Sequence, residues 1–314
     1  MTDLAKNVLG GTRSLVIGWI LPVLLSLQLI VTLTLPAFRD YDEVDQFLSL
    51  DIAQQQAVML ATATVLGIVL AAARTPLYRL IEGHALWPRK LADRRVAAHR
   101  IRRQRLAKAF DDTGLTEHGI RAGLLYERLV RYPVYDRQFT PTGLGNAIRS
   151  FETYAGDRYQ LDSQLLWHDL NAAAPERVVA AVENARTNTD FFVCLLYGGA
   201  VTGLLGVAVL VFEEAIVRAW IAVLLGILIP TACYRMAVLT TDEWGAAVRA
   251  LVNHGRIPVA KAFGLSVPAD LVAERLMWRA INTLVRRPYR YSEAKDVARI
   301  LQRLKDEQNG AEAS

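Results

Sequence analysis

The sequence predicts an all-α integral membrane protein, with four transmembrane helices arranged as two hairpins and a helical cytoplasmic region. Three observations carry this. Hydrophobic residues make up 53% of the 314 positions beside a charged share of 21%, too apolar for an ordinary soluble chain. The apolar residues are gathered into four long stretches, and the charges collect between and after them. Outside those stretches apolar residues recur at spacings of three and four, the helical period, with no sustained alternation.

The first hairpin occupies 14–73. Its first span, 14–38, is a run of 25 uncharged residues between Arg13 and Arg39, longer than the roughly 20 needed to cross hydrocarbon. A cleaved signal peptide competes for this stretch because Lys6 and Arg13 precede it, but the run is too long and lacks a small-residue cleavage site before Arg39. The second span, 52–73, begins with the polar run Gln54, Gln55, Gln56 and becomes apolar from Ala57. The second hairpin occupies 191–241. Its spans are 191–212, between Asp190 and Glu213, and 215–241, which contains Arg218 and Arg235 where long side chains reach the interfaces.

Charge sets the expected sidedness. Between Arg74 and Lys108 stand eleven Lys or Arg residues against Glu82 and Asp93, whereas the loop after the first span carries Arg39, Asp40, Asp42, Glu43, Asp45 and Asp51. Glu213 and Glu214 make the turn between the last two spans acidic as well. Basic segments stay inside, so both termini, the region 74–190 and the tail 242–314 are expected in the cytoplasm of a bacterium, with the protein multi-pass in the inner membrane.

The cytoplasmic parts read as helices. Ile120, Leu124, Leu125 and Leu129 mark one that ends near Tyr132 and Pro133. Asn146 follows the turn-forming run from Thr140 to Gly145 and is expected to cap a helix through about Tyr154. Pro175 suits a first helical position, and the pattern from there runs unbroken into the third span. In the tail, Ala294, Val297, Ala298, Leu301 and Leu304 form an apolar stripe between Ser292 as cap and Gly310.

Segments that bear on function are few. Arg89, Lys90, Arg94, Arg95, Arg100, Arg102, Arg103, Arg105 and Lys108 put nine positive charges in twenty residues close after the second span. The anionic leaflet attracts such residues, so lipid head-group association or topology setting is the leading reading and a solvated helix face the next. Nucleic acid is disfavoured, because interleaved aromatics are lacking. A shorter basic cluster, Arg286, Arg287 and Arg290, surrounds Tyr289 and Tyr291. Gly199, Gly203 and Gly206, and likewise Ala63, Gly67 and Ala71, stand at the small-residue spacing that brings helices together in lipid. Within the spans, Arg218 is paired by spacing with Glu214, Gln28 is expected to hydrogen-bond between helices, and Pro22 and Pro230 are potential kinks.

Catalytic and cofactor signals are sparse. His84, His99, His118, His168 and His254 do not fall at two-histidine metal spacing, and Gly143, Leu144, Gly145 read as a turn, not a phosphate loop. Cys194 and Cys233 each fall within a span and read as small buried hydrophobes. No metal or other cofactor is expected. The polar run Glu152, Asp157, Arg158, Asp162, His168 and Asp169, with Tyr154, Tyr159 and Trp167, is read either as caps and ion pairs or as a site.

The stretch Pro141, Thr142, Gly143, Leu144, Gly145, Asn146, Ala147, Ile148, Arg149, followed by Glu152, Arg158, Tyr159, Asp162 and Trp167, resembles a cytoplasmic motif, PTxLGNxxR…E…RYxxD…W, of an uncharacterised family of bacterial multi-span membrane proteins. The tail carries an echo in Tyr234, Trp244, Gly245, Val248 and Arg256 before Pro268, with Asn253, His254, Gly255 where the pattern has an acidic residue and a leucine. The resemblance implies bacterial membrane placement and marks Asn146, Arg149, Glu152, Arg158, Asp162 and Trp167; it implies no activity.

The leading expectation is a membrane-anchored scaffold or signalling adaptor whose cytoplasmic helices bind a protein partner or further copies of the chain. An oligomeric channel or transporter subunit is the alternative. A membrane-bound enzyme with a site near Glu152 to Asp169 comes third, and an enzyme is disfavoured overall.

Overall fold

The computed structural model describes residues 12–113, 119–212, 216–286, 299 and 302. Among these residues all regular structure is helical. The helices are α1 (Thr12–Leu33), α2 (Asp42–Ser49), α3 (Ile52–Ala72), α4 (Arg74–Glu82), α5 (Arg89–Thr113), α6 (Ile120–Val130), α7 (Gly143–Glu152), α8 (Tyr154–Tyr159), α9 (Trp167–Ala173), α10 (Glu176–Phe212), α11 (Ile216–Ala262) and α12 (Leu271–Val285). Lys6, His118, Glu213, Glu214, the Arg287 to Tyr291 cluster and the tail stripe with Ser292 and Gly310 lie outside the described residues.

Four of these helices, α1, α3, α10 and α11, are long and apolar enough to cross a membrane. They also expose their apolar side chains: Val65, Ile68 and Val69 on α3, Leu204 and Val211 on α10, and Trp220, Leu224, Ile227 and Leu228 on α11. A water-soluble fold would bury such rows at roughly 25 cal/mol per Å², so their outward orientation supports a membrane protein.

The chain divides into two compact units, one formed by 1–87 and 183–241, the other by 88–182 and 242–314, so α10 and α11 contribute residues to both. In the first unit Trp19, Val23, Ala63 and Cys194 form a core, with Ile20, Leu24, Leu70 and Leu77 packed around it. Small residues permit the approach: a Cβ on Gly67 would stand 2.8 Å from Ile20 Cγ1, and one on Gly203 2.8 Å from Gly226 Cα. Gly199 lies against Ile229 and Pro230, and Gly206 against Ala222. Ala63 is fully buried.

The polar opening of α3 is explained by capping. Asp51 accepts from the Gln54 backbone N–H at 2.8 Å, the Gln54 side chain accepts from the Asp51 N–H at 3.3 Å, and Gln55 donates to the carbonyls of Leu48 and Leu50. Gln56 donates to Gln28 Oε1 at 3.4 Å. The acidic loop before it is itself helical, as α2, with Arg39 paired to Asp45 at 2.9 Å.

The second unit is held by a core of Ala155, Tyr159, Leu161, Leu166, Leu170, Val252, Val259, Met277, Trp278 and Ile281. The basic segment 89–108 lies within the single helix α5, which packs against α6. The expected cap at Asn146 is replaced by Thr142, whose Oγ1 accepts from the Gly145 N–H at 3.0 Å, so α7 begins at Gly143 and ends at Glu152. The asparagine is carried inside the helix, past the cap that Thr142 supplies.

Candidate functional site

The residues marked by the motif resemblance are brought together in the second unit, where most of them bond to its own backbone or side chains. Asn146 is fully buried; its Oδ1 accepts from the Thr140 N–H at 2.9 Å, and its Nδ2 donates to the carbonyls of Thr140 at 2.9 Å and Thr142 at 2.7 Å. It therefore closes the loop that leads into α7. Asp162 accepts from the Leu165 N–H at 3.1 Å and from Arg286 at 3.2 Å, while its own N–H donates to Asn282. Arg149 and Glu152 pair at 3.4 Å one turn apart. Burial pushes the Glu152 carboxyl above its usual range, and Arg149 opposes that push. The Arg158 carbonyl accepts from Arg275, and its guanidinium lies over the Tyr159 ring. Trp167 opens α9, where its carbonyl accepts from Asn171, and His168 and Asp169 are exposed.

The tail residues meet the motif. The Trp244 ring packs 5.0 Å from Phe151, and a Cβ on Gly245 would stand 2.9 Å from the same ring. Asn253 Oδ1 accepts from both the Tyr154 and Tyr159 hydroxyls, at 3.1 and 3.0 Å. That acceptor is the function an acidic residue would also serve at this position. Arg256 pairs with the buried Glu274, which also accepts from Trp278 Nε1 at 3.2 Å, and lies 4.6 Å from the Tyr159 ring centroid. Arg131 and Asp242 form a further bidentate pair, which holds the Arg131 guanidinium above its ordinary range.

Of the basic segment, Arg89, Lys90, Arg94, Arg95, Arg102, Arg105 and Lys108 are exposed. Arg100 and Arg103 are half-buried, and Arg100 donates to the Asp136 carbonyl at 2.9 Å. Arg218 is exposed on α11, and its expected partner Glu214 lies outside the described residues.

The first unit holds a polar cavity that residue-by-residue reading of the sequence passed over. It encloses about 330 Å³ between Ser14, Leu15 and Trp19 of α1, Ala71 of α3, Arg74 of α4, and Glu183, Arg186, Thr187 and Asp190 of α10. Helix periodicity builds it, because positions 183, 186, 187 and 190 fall on one face of α10. Asp190 is only 4% exposed; it accepts from the Tyr78 hydroxyl at 2.7 Å and pairs with Arg74 at 3.6 Å. Burial and the Asp190 charge hold the Tyr78 phenol well above its ordinary range, so it remains a donor to that carboxylate. Ser14 and Thr187 share a 2.8 Å hydrogen bond across the cavity wall. Where α1 meets the cavity its turn widens to a π-helical segment, Val16–Ile20, which carries Trp19. Such widened turns occur often at functional sites. Gly18 in that segment lets the backbone approach Asp190 and Thr187; a Cβ there would meet them at 3.4 and 3.5 Å.

Comparison with protein-family models, with curated proteins and with solved structures found no match.

Proposed function

We propose that this chain is a membrane-anchored scaffold or signalling adaptor of a bacterial inner membrane, acting through the helices of its second unit on the cytoplasmic side. The four apolar helices serve as the anchor, two hairpins with both termini inside. Charge supports that orientation: exposed basic side chains crowd α5 shortly after α3, and acidic ones line α2. The same basic face sits against anionic head groups, where each Lys or Arg contributes about 1 kcal/mol near the surface.

The observation that carries the adaptor reading is an apolar pair left outside on α6. Ile120 is 86% exposed and Leu124, one turn later, 48%, while Tyr126 on the other side of the same helix packs its ring against Phe110 of α5. Single exposed apolar residues are ordinary, but two large ones one turn apart on a helix beside a basic one favour protein docking. The occupant is a cytoplasmic protein or a second copy of the chain.

A photo-crosslinking amino acid at Leu124, in cells expressing the full chain, tests this. A discrete protein adduct, lost when Ile120 is changed to Asp, is the expected result. Adducts to lipid alone, or none, overturn it. Reconstituted liposomes test the channel alternative, since robust flux of ions or solutes sensitive to substitutions in the spans would replace the adaptor reading.

A further inference from the structure

Helix α5 has two sides of different character. One is turned inward: Val96, Leu106 and Phe110 are half-buried, the Phe110 ring lies 5.9 Å from that of Tyr126 on α6, and Arg100 donates to the Asp136 carbonyl at 2.9 Å. The opposite side carries Arg94, Arg95, Arg102, Arg105 and Lys108, all exposed, and their spacings of three, seven and eight residues keep them on one face. Among the described residues no carboxylate pairs with any of the five. The exposed acids Asp93 and Asp111 fall at the edge of this face, and Asp112 beyond its last lysine.

Two large apolar side chains stand within the charged face. Leu91 is 46% exposed and Ile101 49%, and Ala98, on the same side between them, is exposed as well. A soluble polyanion would meet the arginines with its oxygens and leave Leu91 and Ile101 in water. A bilayer surface takes both kinds of group, with anionic head groups at the level of the guanidiniums and acyl chains just beneath. Long arginine side chains bend to keep their charge at that level while shorter apolar ones go deeper. The chain also holds this face near a bilayer, since residues 73–88 alone separate the end of α3 from the start of α5. A tethered surface stays engaged with little affinity of its own.

We infer that α5 lies flat on an anionic leaflet, with Leu91 and Ile101 inserted between head groups and the arginines around them on the lipid phosphates. This rests on the membrane reading above and deepens its head-group contact, because it makes the contact an insertion and names the side chains that enter. Lipid and protein are then met by different helices, α5 and α6.

The test uses the full chain reconstituted in vesicles of phosphatidylcholine with or without phosphatidylglycerol, with an environment-sensitive fluorophore on Ala98→Cys; the native Cys194 and Cys233 are buried. With phosphatidylglycerol the label is expected to shift to the blue and to be quenched by nitroxide-bearing lipid, and without it both effects should be weak. Arg94→Gln, Arg102→Gln and Arg105→Gln together should lower the bound-to-free ratio about a hundredfold, a factor of roughly five per charge. Ile101→Ser keeps every charge and should lower it about tenfold. All four side chains are exposed, so helical circular dichroism should be retained. A label that stays in water in the phosphatidylglycerol vesicles, equal quenching in both lipids, or an undiminished signal in Ile101→Ser overturns the inference. A label that stays in water yet responds to a single-stranded oligonucleotide overturns it in favour of nucleic acid. The crosslink at Leu124 reads α6, so failure of the adaptor reading and failure of this one are told apart. Release of the chain from native membranes by alkaline carbonate would refute the membrane anchor on which both rest.

Discussion

Asn146 is the position at which a structural and a ligand-binding reading of the motif part most sharply. Its side chain makes three hydrogen bonds to the backbone of the loop that enters α7, all in a fully buried setting. In Asn146→Ala those bonds are lost at about 1 kcal/mol each, and the buried Thr140 N–H and two carbonyls lose this partner, at up to about 1–3 kcal/mol for a group left unsatisfied. The terms overlap, so a loss of about 3–4 kcal/mol is expected. For a unit of this size that is roughly 10 °C in the midpoint. Asn146→Asp is more telling, since it keeps the acceptor toward Thr140 N–H but sets a second carboxylate oxygen where Nδ2 now lies, 2.9 and 2.7 Å from two carbonyl oxygens. That acid is held protonated, its folded pKa raised above the unfolded value of about 3.9. By linkage the stability of this variant is fully present below the unfolded pKa and is lost as pH rises through the folded one. The assay is intrinsic tryptophan fluorescence of the detergent-solubilised chain on heating, from pH 4 to 8. Midpoints for both variants within about 2 °C of the parent at pH 7 would refute the structural role.

Three further outcomes follow from the packing and the charges. A Cβ on Gly226 would stand 2.2 Å from Gly203 Cα, so Gly226→Ala should force α10 and α11 apart and lower the melting midpoint by several degrees, in line with overpacking of about 1–3 kcal/mol or more; Gly123→Ala on α6, with nothing within 4 Å, should leave stability equal or slightly raised. Glu274→Ala strands the half-buried Arg256 and removes the acceptor of Trp278 Nε1, for about 3 kcal/mol, whereas the double variant Arg256→Met with Glu274→Leu should recover most of the loss; a double variant no better than the single one would refute the pair's coupling. His99 has its pKa lowered by burial and by Arg95 and Arg102, so below pH 6.5 the unfolded chain takes up a proton that the folded one refuses, and stability declines as pH falls from there toward the folded pKa. His99→Gln should flatten that slope, read as the difference in midpoint between parent and variant from pH 7 to 5; parallel curves would sink the assignment.

The four apolar helices were legible because a membrane span is read from length and composition, which need no knowledge of partners. Their ends were less so. The glutamine run that opens α3 looks like a weak span when polarity is summed, yet Asp51 and Gln54 form a reciprocal cap, and caps require polar residues where a span begins. The acidic loop was legible by charge and not by structure, since Asp42, Glu43 and Asp45 favour the first turn of a helix as much as they favour an outer loop. In the second unit the motif could be found but its role could not. Asn146 was expected to cap because asparagine commonly does; Thr142, four residues earlier, took the cap, and only the loop geometry reveals that the asparagine amide was needed to close Thr140 and Thr142.

The cavity shows a different limit. Asp190 served in the sequence as a charge that marks where a span begins, and Arg74 as one that marks where a span ends, and a residue assigned to a boundary is not also sought as part of a site. The signal was nevertheless present: Glu183, Arg186, Thr187 and Asp190 stand at helical spacing on a segment predicted to run unbroken into a span. What no spacing supplies is that Ser14, Arg74 and Tyr78, more than a hundred residues earlier, meet that stripe. Charges at the ends of spans are ordinarily held in water or at head groups, and in this chain one of them is 4% exposed with a tyrosine and an arginine upon it. A carboxylate is not buried at such a place without its counter-charges, and Arg74 and Arg186 supply them.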